Sequence, residues 1–362
     1  MTDKPIILAA GGTGGHLFPA ESLAQELLNR NHRVVIITDK RGNAFKTLGD
    51  KVEIKCVNSA TFKAGIASKI KALIDLKLGC IQSFFILLKY KPSVVVGFGG
   101  YPSFPPMLMA QLLGVKTVMH EQNAVLGKAN IWLAMGVTKI ATAFPDTKRI
   151  KESYKQKIEV TGNPVRAAIC EVRNKPYPEI KDSLNILITG GSQGAKVFST
   201  IIPDAIVKLP ADIKDKLNIV QQCKPEDIEE VKKKYSDAGV KAEIKSFFDD
   251  MNKRLEACHL FIGRAGASTV TELAVAGRPA IFIPYPGHED NQQRRNAETL
   301  TEKGGAWVVD QKDFTEQYLV EKLENLAKNP DMLQNAALVV KNCGKPEAVK
   351  NLADVVEGVI SK

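Results

Sequence analysis

The feature that most restricts how this chain can fold is a regular alternation of short apolar runs with stretches of helical period, and it occurs twice. In the first half the runs at 6–10, 34–38, 52–57, 94–98, 117–120 and 140–144 read as strands, with helices such as 21–30 between them. Strand and helix in turn predict a parallel sheet wrapped by helices. A stretch at 171–182 that carries proline and charge breaks the series and reads as a linker. The alternation then restarts with runs at 186–189, 219–222, 242–245, 260–262, 280–284 and 307–309. At 362 residues the chain has room for two domains of the usual ~100–200 residues. The expected fold class is α/β, two Rossmann-like domains in tandem, at 1–162 and 163–345. A last helical pattern, 346–362, is expected to return to the first domain.

Charge narrows the class of partner. Up to Gly162 there are 22 Lys+Arg against 11 Asp+Glu, and after it 28 against 29, so the net charge of +10 divides as +11 and −1. Such asymmetry points to an anionic partner of the first half, either nucleic acid or an acidic membrane surface. No basic groove with interleaved aromatics is present, which argues against nucleic acid. The helical stretch 66–90 carries an apolar stripe of Ile66, Ile70, Leu73, Ile74, Ile81, Phe84, Phe85 and Leu88 with Lys69, Lys71 and Lys89 beside it. Two readings fit it: a basic amphipathic helix lying on a membrane, or a core or interdomain helix, since Lys77 interrupts the stripe. No run approaches the ~20 apolar residues of a membrane span. The opening apolar run of five residues is too short for a signal peptide, and the six cysteines form no C-x-x-C pair, which suits a reducing cytoplasm.

Three glycine clusters carry the chemistry. The first strand ends in Gly11-Gly12-Thr13-Gly14-Gly15-His16 and a helix begins at once, which lets backbone N–H groups approach an anion at the helix's positive end. Leu17 stands where the dinucleotide fingerprint needs glycine or alanine, and the Lys-Ser/Thr of a P-loop is missing. Thr189-Gly190-Gly191-Ser192-Gln193-Gly194-Ala195 repeats the device in the second half, and Gly97-Phe98-Gly99-Gly100-Tyr101-Pro102-Ser103 closes the fourth strand. Asp249-Asp250 lacks the spacing and neighbours of a metal-binding acidic pair and reads as a helix cap.

With these motifs stand His120-Glu121-Gln122-Asn123, Thr161-Gly162-Asn163-Pro164-Val165-Arg166, the stretch 264–272, and Gln292-Gln293 with Asn296-Ala297. Seven motifs in this order resemble the MurG family, bacterial transferases that add N-acetylglucosamine to lipid I in the two-domain GT-B glycosyltransferase fold, with a cleft between the domains. The resemblance runs nearly end to end. It implies an inverting transfer from UDP-GlcNAc to the muramyl 4-hydroxyl of lipid I, giving lipid II for peptidoglycan, with no metal and no cofactor. UDP would lie mainly on the second domain. Ser192, Gln193 and Gly194 would meet the diphosphate, with Arg166 adding positive charge, and Phe248 would meet the uracil. Glu272 would hold the ribose from the helix opened by Ala267, Ser268 and Thr269. Gln293, with Gln292 beside it, would bond the sugar hydroxyls. Thr13, Gly14, Gly15 and Asn123 would bind the transferred sugar or the acceptor. The base that takes the hydroxyl proton is left among His16, Glu121 and Tyr101. For His16, the positive helix end is expected to lower the pKa.

The implied partners are UDP-GlcNAc, lipid I and the anionic cytoplasmic face of the bacterial membrane, met by the basic first domain. The membrane enzyme that makes lipid I is a further candidate. Rival readings are a related transferase for another lipid such as diacylglycerol, an NAD-dependent oxidoreductase holding a ribose on Asp39, and a sugar-nucleotide sensor without turnover.

Overall fold

The computed structural model describes residues 4–12, 14–39, 42–59, 65–191, 194–287 and 290–361. The chain forms two compact units, Met1–Arg166 together with Pro346–Lys362, and Ala167–Lys345.

The first unit is built on a sheet of β1 (Ile6–Ala9), β2 (Val34–Thr38), β3 (Glu53–Cys56), β4 (Val94–Gly97), β5 (Thr117–Glu121), β6 (Lys139–Thr142) and β7 (Ile158–Val160). Their order is β3-β2-β1-β4-β5-β6-β7, and every pairing is parallel. All residues of β1, β2, β4 and β5 are buried, because helices cover both faces of a parallel sheet. The edge strand β7 has no counterpart among the expected strands. Its three residues, Ile-Glu-Val, are only partly covered, so no apolar run announces it.

Two helices of this unit carry the first glycine motif and the apolar stripe. Gly14–Asn29 begins directly after the first glycine turn and buries Ala20, Leu23, Ala24 and Leu27, which recur at three- and four-residue intervals. Ile66–Tyr90 lies against residue 58 through Gly79, where a Cβ would stand 2.2 Å from the Asn58 carbonyl oxygen. Among the described residues no helix is long and apolar enough to cross a membrane.

The helix Ala348–Ser361 packs on the same unit, with Leu352, Ala353, Val356 and Val359 in one apolar cluster with β1 and Gly14–Asn29. Arg30 donates to Asp354 at 2.6 Å and to Glu357 at 2.7 Å. Burial decides its docking. Leu352, Val356 and Val359 bring about 5–9 kcal/mol as an upper estimate, whereas partly exposed ion pairs bring about 0–1 kcal/mol each.

The second unit carries β8 (Leu184–Thr189), β9 (Leu217–Gln222), β10 (Lys241–Lys245), β11 (Leu260–Gly263), β12 (Ala280–Phe282) and β13 (Ala306–Val308), again all parallel, in the order β10-β9-β8-β11-β12-β13. The stretch expected as a linker is packed against this unit. Arg173 donates to the Lys341 carbonyl at 2.7 Å, and Tyr177 donates to that of His259 at 2.8 Å. Asp250 stands at the start of the helix Met251–Ala257 as expected, yet its side chain does not cap it. Its two oxygens instead take Arg254 Nε at 3.1 and 3.0 Å.

Candidate active site

In each sheet the strand order reverses once, between β1 and β4 in the first unit and between β8 and β11 in the second. Beyond the carboxyl ends of such neighbours an open α/β sheet leaves room for a ligand.

At the first of these points Gly11 follows β1, and a Cβ there would stand 2.6 Å from Pro102, so no larger residue fits. Gly14 and Gly15 form the first turn of the following helix; Thr13 lies outside the described residues. After β4, Gly99 and Gly100 take φ of 78° and 72°, a region that favours glycine. They carry a ring as well as a turn, since a Cβ on Gly99 would lie 3.4 Å from His16 Cδ2. His16 is thus set over this loop, and burial lowers its pKa to about 4. At neutral pH it is an uncharged imidazole with a lone pair. Tyr101, next along the loop, is exposed.

The motif after β5 divides its work. His120 is buried, with Nε2 donating to the Gly162 carbonyl at 3.1 Å and Nδ1 accepting from Gln122 Nε2 at 3.1 Å. Gln122 also donates to the Phe98 carbonyl at 2.8 Å, so this pair ties β5 to its neighbours. Burial lowers the His120 pKa to about 4. Glu121 is buried as well, and Asn123 donates to it through both its N–H and its Nδ2. Arg166, the last residue of the unit's long segment, lies over the Phe18 ring at 4.9 Å.

In the second unit the loop after β8 is equally committed to glycine. A Cβ on Gly190 would stand 2.4 Å from the Ala195 nitrogen, and Gly191 and Gly194 take φ of 78° and 66°. Ser192 and Gln193 lie outside the described residues. Beyond β11 the helix Ala267–Ala276 starts at Gly266 without a side-chain cap. Ser268 Oγ is buried there with no hydrogen-bond partner among the described residues, a group left for a ligand or water. Thr269 and Glu272 are partly buried on the same helix.

Gln292 donates to Asp290 at 2.9 Å and Gln293 Oε1 accepts from the Tyr285 N–H at 2.9 Å. That second bond fixes the orientation of the Gln293 amide and leaves its Nε2 as the donor. Phe248 departs from its expected role: it is 6% exposed beneath the Arg254 guanidinium at 5.1 Å, so its ring is closed to a base. Its neighbour Phe247 is the accessible aromatic, at 68%.

Arg264, which its motif alone did not single out, stands at the carboxyl end of β11 beside the second switch point. It follows β11, sandwiched between Phe198 at 5.1 Å and Tyr285 at 5.6 Å. Its bonds go to the carbonyls of Ile283 and Pro284 and to Gln311 Oε1, which are all neutral. Its sequence signal was a lone cation at the end of an apolar strand. Asp39, which the oxidoreductase reading would use for a ribose, is buried and accepts from Ser59 Oγ at 3.3 Å.

Comparison with known proteins follows the same division. Residues 6–142 match the glycosyltransferase family 28 N-terminal domain and residues 185–352 match the C-terminal domain of that family. The UDP-N-acetylglucosamine--N-acetylmuramyl-(pentapeptide) pyrophosphoryl-undecaprenol N-acetylglucosamine transferase of Rhodospirillum centenum is 46% identical over 360 residues, which is 99% of this chain and 95% of that protein. The protein of the same name from Paramagnetospirillum magneticum is 45% identical, over 99% of this chain and 98% of its own length. Among solved structures, MurG of Acinetobacter baumannii matches with a TM-score of 0.80 at 30% identity, covering 98% of this chain and 99% of that one.

Proposed function

This chain belongs to glycosyltransferase family 28, among its MurG transferases, and from that premise we propose how its residues divide the reaction. The activity is transfer of N-acetylglucosamine from UDP-GlcNAc to the muramyl 4-hydroxyl of lipid I, which yields lipid II and UDP. The acceptor hydroxyl attacks the anomeric carbon, the bond to the β-phosphate breaks, and the configuration inverts.

The observation that carries the division of roles is that each sheet has, at its own switch point, a loop with a glycine position that has no room for a side chain, Gly11 in one and Gly190 in the other, and from which a helix starts. In the second unit the loop at 190–195, with Ser192, Gln193 and Gly194, receives the diphosphate, where the helix end contributes about 0.3–2 kcal/mol. Arg264 adds a charge that no carboxylate quenches among its hydrogen bonds, and the Ser268 hydroxyl adds a donor. Negative charge grows on the leaving phosphate as the bond breaks, so these groups favour the transition state over the ground state. Arg166 supplies a further cation. Glu272 holds the ribose, and the uracil is met by the backbone at Phe248. In the first unit Thr13, Gly14, Gly15 and Asn123 hold the reacting sugars, Tyr101 lines the acceptor, and His16 removes the hydroxyl proton.

Gln293 provides a test of the donor half. Gln293→Glu keeps the acceptor for the Tyr285 N–H but loses the outward donor, so kcat/KM for UDP-GlcNAc should fall roughly 5- to 150-fold, the equivalent of about 1–3 kcal/mol. Steady-state kinetics with unchanged kcat/KM would remove Gln293 from the sugar subsite.

The first unit also carries the surface for the membrane. Ile70, Leu73, Ile74, Leu78, Ile81, Phe85 and Leu88 are all exposed along Ile66–Tyr90. Trp132, at 79% exposed, and Met135 add to the apolar surface of the unit. With Lys69, Lys71, Lys77 and Lys89 on the helix, this is the composition of a face that sits at the boundary of acyl chains and anionic headgroups. Such a face supports the reading that the enzyme works at the membrane surface, on the cytoplasmic leaflet where a lipid-linked acceptor is reached.

The whole reading is tested by UDP release from UDP-GlcNAc by the purified protein in detergent, with and without a lipid I analogue. Acceptor-dependent release is the expected result; release that ignores the acceptor, or binding without release, contradicts it.

A further inference from the structure

Glu121 ends β5 with a carboxylate that is 2% exposed and engaged on both oxygens. Oε1 accepts from the Asn123 N–H at 3.0 Å and from Asn123 Nδ2 at 3.1 Å. Oε2 accepts from the Gly127 N–H at 2.9 Å and from Asn130 Nδ2 at 2.8 Å. An ionised carboxylate has about four lone-pair sites, and four donors fill them. A general base must instead direct a lone pair at the proton it takes.

We propose that Glu121 is a positioning residue of the transferase, which acts through Asn123 and Asn130 and takes no proton from the acceptor. The inference rests on the reading above, in which Asn123 and His16 belong to the active site. Between Asn123 and Asn130 the chain makes an irregular turn and the helix Lys128–Leu133 begins. The Leu126 N–H donates to the Lys148 carbonyl at 2.9 Å and the Lys148 N–H to that of Ala124 at 2.9 Å, and besides these bonds one buried carboxylate gathers the turn's start, middle and end. The far end reaches the base. A Cβ on Gly99 would lie 3.5 Å from Asn130 Nδ2 and 3.4 Å from His16 Cδ2, so the amide that Glu121 holds and the imidazole rest on the same glycine. Burial raises the Glu121 pKa while all four donors oppose it, and the four-donor arrangement is the one an ionised carboxylate requires.

The test is Glu121→Gln in the full-length protein. The amide must present its NH2 to one of the two donor pairs, so the turn loses half of what this side chain supplies. Hydrogen exchange should speed up at least tenfold at the Asn123 or the Gly127 amide, whichever faces the new NH2, and the KM for a lipid I analogue should rise together with a fall in kcat of at least tenfold. Adding Asn130→Asp gives the new NH2 an acceptor and should recover part of the lost kcat/KM, at least threefold, together with a return of hydrogen exchange toward the wild-type rate, which a carboxylate that merely replaced a base would not produce. A fall in kcat alone, with KM and exchange unchanged and no recovery in the double variant, would overturn the proposal. Should Glu121→Gln fail to fold, Asn130→Ala takes its place: at least a fivefold loss in kcat/KM is expected, and wild-type kinetics would overturn the inference. Turnover by the wild-type protein in the same assay tests the transferase reading separately, and the exchange measurement needs no turnover at all.

Discussion

His16→Ala is expected to slow turnover by roughly 10²- to 10⁴-fold, the range that a positioned general base contributes, while UDP affinity stays within about twofold because the loop proposed to receive the diphosphate lies in the second unit. The imidazole is uncharged at neutral pH, and its lowered pKa of about 4 makes it a weak but always available acceptor. The ring-proton NMR signals of His16 should therefore hold still between pH 8 and 5.5 and move only as the pH approaches about 4. Near-normal turnover by the alanine variant would exclude His16 from the proton transfer. A titration near the ordinary histidine value would show that burial does not set its state.

The same depression has a sign for stability at His120, which is fully buried. Its unfolded form takes a proton near pH 6.5 and its folded form only near about 4, so the stability it preserves above 6.5 is lost as pH falls between those values. The loss is on the order of 3 kcal/mol.

Ile81→Ser together with Phe85→Ser should weaken binding to vesicles containing anionic lipid by roughly 30- to 1,000-fold, from about 2–4 kcal/mol of apolar burial lost at two partly inserted side chains. These two are chosen because they stand 53% and 63% exposed, so their loss leaves the packing of the unit intact. Phe84 is a poorer choice, being half-buried and edge-on to Phe85 at 5.6 Å. Co-sedimentation with vesicles at several salt concentrations reads the effect. Wild-type binding by the double variant would deny this helix its membrane role, and detergent-assayed turnover of the same variant should remain normal.

The fold was legible because strands buried on both faces must be apolar along nearly their whole length, as β1, β2 and β4 are. β7 escaped because an edge strand of three residues needs no such run. The glycine loops were legible for a related reason. Positions such as Gly190 and Gly99 answer to the backbone, and only one residue type meets that demand. Where the sequence was silent, side chains were answering to neighbours far along the chain. Nothing in Phe247-Phe248 tells which ring Arg254 covers, and nothing near Arg264 foretells the sandwich of Phe198 and Tyr285. Glu121 is the sharpest case, since a buried carboxylate looks the same in sequence whether it takes a proton or organises a turn.

The helix Ala348–Ser361 also bears on how such a protein comes into being. The side chains that complete the apolar cluster of the first unit, Leu352 and Val356 among them, are translated only after all of Ala167–Lys345. While that segment is being made, the surface of Gly14–Asn29 that they cover has no cover of its own. The second unit, continuous in sequence, suffers no such wait. The order of synthesis is therefore the reverse of the order of completion, and the half that leaves the ribosome first depends longest on being shielded from other nascent chains.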